Sequence, residues 1–160
     1  ILQAAADGEI GALYIVGADR LAAAGLSDAV KTARANVEYM VMHASRQCDI
    51  LDLADAVLPS GTFAEKEGTF TNFEGRVQKI SKAIPSVGNS KADFEIFAGL
   101  LSKAGKTEFA SVPAKVFNLM AAEVQAFAKR LTHLPMAPLA HCNDALMLIR
   151  VDRRPISRTL

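Results

Sequence analysis

Ala12-Leu13-Tyr14-Ile15-Val16 is a short apolar run bounded by Gly8-Glu9-Ile10-Gly11 before it and by Gly17 after it. Apolar on both faces, it suits a strand covered by helices on each side. Downstream, Ser27 is placed to cap a helix through Ala35, and Val37 to Met42 is a second β-rich run without alternation. Strand, helix and strand in so few residues imply a parallel crossover. A short helix from Cys48 to Leu53 leads to Ala56-Val57-Leu58, a third buried strand that Pro59 ends. Upstream, Ile1 to Asp7 reads as the end of a helix. The predicted fold class is therefore α/β, a mainly parallel sheet flanked by helices.

From Gly61 to Ile80 the residues turn to Gly, Thr, Asn and charge, a long ordered loop or irregular hairpin. Ser90 and Asp93 have capping-box spacing ahead of Phe94, Ile96, Phe97, Leu100 and Leu101, which share one helical face that Lys103 and Gly105 close. Pro113 opens another helix carrying Val116, Phe117, Met120, Val124 and Phe127. Both stripes are expected to cover a core. Past Lys129, Pro135, Pro138 and Pro155 break the periodicity and leave Ala145 to Val151 as one possible strand in an irregular C-terminal tail. The expected division is an α/β segment over 1–128 and a C-terminal extension over 129–160.

The chain has 160 residues, enough for one core or a piece of one, with 51% hydrophobic and 22% charged residues, which argues against disorder. A net charge of +1 gives no ground for a nucleic-acid partner, and Arg150, Arg153, Arg154 and Arg158 read as a solvated end. Cys48 and Cys142 stand apart, so no zinc, iron-sulfur or disulfide ligand set is visible and no metal is expected. No apolar run approaches the roughly 20 residues of a transmembrane helix. The chain does not begin with Met and reads as a fragment of something longer.

The informative segment is Ala54-Asp55-Ala56-Val57-Leu58-Pro59, followed by Glu65-Lys66-Glu67-Gly68-Thr69-Phe70-Thr71-Asn72-Phe73-Glu74-Gly75-Arg76-Val77-Gln78. It resembles the molybdopterin oxidoreductase superfamily, and most closely the large iron-sulfur subunit of NADH:quinone oxidoreductase, respiratory complex I. Asp93-Phe94-Glu95-Ile96-Phe97 and the Gly8 to Gly17 stretch extend the likeness over residues 1 to about 105. By their chemistry, Gly68 and Gly75 allow tight turns, Asn72 and Thr69 can satisfy loop backbone groups, and Glu65, Glu74 and Arg76 have the types for a charge-assisted network. Asp55, Pro59, Glu65, Gly68, Asn72, Glu74, Gly75, Arg76 and Gln78 form the expected structural motif, a scaffold favoured over a ligand site.

In molybdenum-containing relatives the loop after the first strand typically reads Gly-x-Asn-Pro, and here it reads Gly17-Ala18-Asp19-Arg20. Gln-Asp often follows the second strand in those relatives, where this chain has His43-Ala44-Ser45. Lost binding should show at such positions, because open α/β sheets bind ligands at the carboxyl ends of their strands. The departures speak against molybdopterin. The main expectation is thus a non-catalytic scaffold segment of complex I that supports electron transfer from NADH to quinone. It would have no cofactor of its own, iron-sulfur clusters in an N-terminal part not in this chain, and other subunits of the respiratory complex as partners. Such a segment would lie peripherally on the cytoplasmic face of the bacterial inner membrane, a location favoured over the mitochondrial matrix side. The alternative is a fragment of a formate dehydrogenase-like molybdoenzyme, in which Gly17, Asp19, His43, Ser45, Gly68, Thr69, Asn72, Glu74 and Arg76 would line a pterin guanine dinucleotide cleft. A stand-alone α/β binding module is the third possibility.

Other candidates are weaker. His43 has no second ligand at metal spacing and is expected to be a hydrogen-bonded loop histidine. His141-Cys142-Asn143-Asp144 has the types of a thiol site without evidence of pairing, and Gly17-Ala18-Asp19 lacks the Gly-x-Gly-x-x-Gly of a nicotinamide site.

Overall fold

The computed structural model describes residues 1–74, 76–105 and 112–123, and the backbone of 147–152. These fall into two compact units, Ile1–Pro59 with the 147–152 strand, and the described part of Ser60–Asp144.

In the first unit, α1 (Leu2–Ala6) leads through Gly8 into β1 (Ile10–Val16). Then come α2 (Ala18–Ala23), α3 (Ser27–Arg34), β2 (Tyr39–Ala44), a single 3₁₀ turn at Leu51–Leu53 and β3 (Ala56–Pro59). The sheet order is β3-β2-β1-β6, with β6 being Met147–Asp152. The first three strands are parallel and β6 runs antiparallel along β1. This is the mainly parallel α/β sheet that the apolar runs imply. β1 is hydrogen-bonded on both edges, with Leu13 and Ile15 buried on one face and Ala12, Tyr14 and Val16 half-buried on the other.

The inward set of β1 changes phase. Ile10, Leu13 and Ile15 are buried, and the skip falls where the register against β6 shifts between Ile10 and Ala12. An extra residue in one strand of an antiparallel pair reverses the side-chain alternation beyond it. Leu13 and Ile15 join Met40 and Met42 of β2, Leu21 of α2, and Val30 and Ala33 of α3 in one apolar cluster with Ala5 and Ile50.

Three expectations need correction. Ser27 does not cap α3; Leu26 holds the N-cap position and the Ser27 hydroxyl donates to Asp49 Oδ1 at 3.0 Å. β3 is an edge strand rather than a buried one, with Val57 42% exposed, because only β2 pairs with it among the described residues. The predicted helix from Cys48 shrinks to one 3₁₀ turn.

In the second unit, a 3₁₀ turn at Phe63–Glu65 precedes the antiparallel hairpin of β4 (Gly68–Thr71) and β5 (Val77–Ile80), then α4 (Asp93–Lys103) and α5 (Pro113–Glu123). Gly105, at φ +70°, closes α4 as its position suggests. The Ser90 and Asp93 capping box does not form: the N-cap is Ala92, whose N–H donates to Glu95 Oε2 at 2.9 Å. The apolar stripe of α4 is only partly covered, with Leu100 exposed, whereas Phe117 and Ala121 of α5 are buried beside Val77. The predicted strand over 145–151 corresponds to β6, and the expectations for Val124, Phe127, residues 141–144 and the arginine side chains from Arg150 onward lie outside the described residues.

Candidate functional site

The parallel strands end in register. Val16 lies opposite His43, and His43 opposite Leu58, so the chain leaves β1, β2 and β3 side by side. Ligands bind at this edge of open α/β sheets. Gly17 takes a left-handed conformation, φ 87° and ψ 49°, which lets β1 pass into α2 with no intervening loop. Its N–H extends the ladder by one bond, to the His43 carbonyl at 3.1 Å.

Asp19 and Ser45, singled out separately in the sequence, meet here. The Ser45 hydroxyl donates to Asp19 Oδ2 at 2.8 Å, and the Ser45 N–H reaches Oδ1 at 3.4 Å. Cys48 follows in the same loop, where burial pushes its thiol pKa up and the carboxylates of Asp19 and Asp49 add to that rise. A thiol so placed stays protonated and is a poor nucleophile. His43 is fully buried, and its Nε2 shares a 2.6 Å hydrogen bond with the Tyr14 hydroxyl from the neighbouring strand. Tyr14 sits diagonally across the β1–β2 pair, within reach of a ring of that size. His43 is thus a hydrogen-bonded histidine, at the end of a strand rather than in a loop.

Asp55 of the motif is an organiser of the sheet. Its carboxylate accepts from Arg34 Nη2 at 2.9 Å and from the Met40 N–H at 2.7 Å, while the Asp55 N–H returns a bond to the Met40 carbonyl. Arg34 also donates to the Val37 carbonyl, tying the end of α3 to the entry of β2.

The rest of the motif belongs to the second unit and divides in two. Glu65 is 7% exposed; Oε2 accepts from the N–H and hydroxyl of Thr62, and Oε1 from the Val87 N–H. The Thr62 hydroxyl and N–H, then the Val87 N–H, hold its pKa down at about 2. At the hairpin tip, Asn72 Oδ1 accepts from the N–H groups of Glu74 and Arg76, and Phe73 stands 95% exposed. Glu65 and the tip therefore form separate hydrogen-bond systems rather than one network, with Thr69 paired to Lys79 within the hairpin. Lys66 and Asp93 add an ion pair at 3.0 Å, and Thr69, Lys79, Pro113 and Phe117 line a small groove between the hairpin and α5.

Sequence reasoning missed Tyr14, Arg34, Thr62 and Val87. Thr62 was legible: Thr-x-x-Glu is the capping-box pattern, and it forms at Thr62 and Glu65. Tyr14, Arg34 and Val87 act through contacts at long separation that no local pattern encodes. Among the described residues, no group of three or more His, Cys, Asp or Glu is placed to hold a metal ion, and no helix is long and apolar enough to cross a membrane.

An open α/β sheet with aligned parallel strand ends, followed in the chain by a hairpin motif, is the class of protein that these features define. The chain belongs to the molybdopterin oxidoreductase family, whose model matches residues 1–103. It is 32% identical over 129 residues to the putative formate dehydrogenase YrhE of Bacillus subtilis, covering 81% of this chain and 13% of that protein. It is 36% identical over 119 residues to the F420-dependent formate dehydrogenase 2 subunit alpha of Methanococcus maripaludis, covering 72% and 18%. With the NADPH-Fe(3+) oxidoreductase subunit alpha of Geobacter sulfurreducens, identity is 30% over 128 residues, covering 80% and 15%. The chain thus spans less than a fifth of the length of these curated relatives. Family membership makes the context that of a redox enzyme; it does not single out complex I.

The pterin guanine dinucleotide that the family name and the resemblance imply carries a diphosphate. At the ends of β1 and β2 three groups do not fit that diphosphate as they stand, because the Gly17 N–H is bonded to His43 and both donors of Ser45 to the Asp19 carboxylate.

Proposed function

We propose that this chain is a segment of the large redox subunit of a formate dehydrogenase-like oxidoreductase. The observation that carries this reading is the identity, above 30% across most of the chain, to relatives named as formate dehydrogenases. Its sheet and the Asp55 and Glu65 bonds suit a supporting role, in which the segment holds neighbouring parts of the subunit in place and itself stores no electron. Any pterin in the subunit would then be held mainly by residues beyond this chain.

One observation favours a second reading. The Asp19 carboxylate fills the loop edge where a diphosphate would need donors, as suits a scaffold segment of the large iron-sulfur subunit of NADH:quinone oxidoreductase. In that reading the partners are the other subunits of the respiratory complex, the clusters lie in an N-terminal part of the subunit, and the location is the cytoplasmic face of the bacterial inner membrane.

Elemental analysis of the full-length subunit in its native assembly, with pterin fluorescence after oxidative release, separates the two. Stoichiometric molybdenum or tungsten with pterin, together with formate oxidation, is the expected result. Iron without molybdenum, tungsten or pterin, together with NADH-dependent quinone reduction, would overturn the first reading in favour of the second.

A further inference from the structure

We infer that Asp19 is the chain's own anion at the carboxyl end of this sheet, and that its charge, placed beside Ser45, closes the ends of β1 and β2 to a nucleotide phosphate. A phosphate seated on a loop edge needs N–H and O–H groups with unspent hydrogens, because each donor can serve one strong acceptor at a time. The Gly17 N–H goes to the His43 carbonyl at 3.1 Å, and the Ser45 hydroxyl and N–H go to Asp19 at 2.8 and 3.4 Å. Arg20 of α2 and Arg46 after β2 supply positive charge nearby, so attraction at long range is present, and it is the Gly17 and Ser45 donors that are spent.

An incoming diphosphate would have to displace the Asp19 carboxylate from Ser45 and then lie beside it. Like charges at such separations repel strongly where water is partly excluded. Asparagine at position 19 would keep an oxygen for the Ser45 hydroxyl and replace the second carboxylate oxygen with a donor. The closure is thus a property of one charge rather than of the backbone path. It goes beyond both functional readings, since a subunit with or without a pterin elsewhere carries the same loop pair.

The test uses the full-length subunit in its native assembly, as wild type, Asp19→Asn, Asp19→Ser and Ser45→Ala, titrated with GDP. Hydrogen exchange of the amides of residues 17–20 and 43–46 provides the local readout. Wild type and Ser45→Ala are expected to show no protection up to about 1 mM GDP, while Asp19→Asn and Asp19→Ser gain local protection with at least about tenfold tighter binding. Protection of these amides in the wild type, a gain in Ser45→Ala, or no gain in either Asp19 variant would each overturn the inference. Molybdenum and pterin content, scored separately on the same preparations, keeps its failure distinct from failure of the formate dehydrogenase reading.

Discussion

Ile10, Leu13, Ile15, Met40 and Met42 of the first unit are almost wholly removed from solvent and lie in one cluster, whereas the apolar cluster described in the second joins Val77, Phe117 and Ala121. Among the described residues of the second unit, hydrogen bonds and one ion pair do much of the holding: Glu65 to Thr62 and Val87, Lys66 to Asp93, Asn72 to its own turn. The difference shows two ways of fixing a chain. Burial fixes a sheet through many weak and non-directional contacts, while a carboxylate that accepts several donors fixes a loop through a few directional ones. The first should fail with lost volume and the second with lost charge.

The largest effect is expected at Ile15. Ile15→Ala removes a fully buried branch from β1 and should cost on the order of 2–5 kcal/mol, read as a lowered urea midpoint with an unchanged slope. A cost below about 1 kcal/mol would mean that the first unit does not depend on its core.

Next comes Glu65. Its pKa in the fold, about 2, lies below the ordinary 4.5, so its contribution is fully present above pH 4.5 and is lost as the pH falls from 4.5 toward 2. Glu65→Gln should destabilise the second unit by roughly 1–3 kcal/mol at neutral pH and flatten its acid limb. Hydrogen exchange of the Thr62 and Val87 amides across that range checks this, and an unchanged acid limb in the variant would remove Glu65 as the cause.

The hairpin tip should respond least. Asn72→Ala takes the acceptor from the Glu74 and Arg76 amides at an exposed site and should cost about 1 kcal/mol, seen as faster exchange of those two amides. Phe73→Ser, at a side chain 95% exposed, should change stability by less than about 0.5 kcal/mol. A larger loss in the full-length subunit than in this chain would show that Phe73 is covered there.

The sequence by itself determined the mainly parallel α/β sheet, since Ala12 to Val16, Val37 to Met42 and Ala56 to Leu58 are short apolar runs at the spacing of strands joined by crossovers, whereas the edge position of the third, with Val57 exposed, was decided by the tertiary structure. It also marked Asp19, Ser45, Asp55, Glu65 and Asn72 as residues to watch, because their types and their places at strand ends or in a polar loop are local facts. What they do was decided by the tertiary structure. Asp19 meets Ser45 only because β1 and β2 are parallel and end in register, and Asp55 finds Arg34 only once α3 has crossed back over the sheet. Neither Ser27 nor Ser90 caps the helix whose start its spacing marks. Ser27 bonds to Asp49, 22 residues away, and Ala92 with Glu95 opens α4 instead. Periodicity is written along the chain because burial acts on each residue in turn. A hydrogen-bond partner is chosen in space, after folding has brought together groups that the sequence keeps apart.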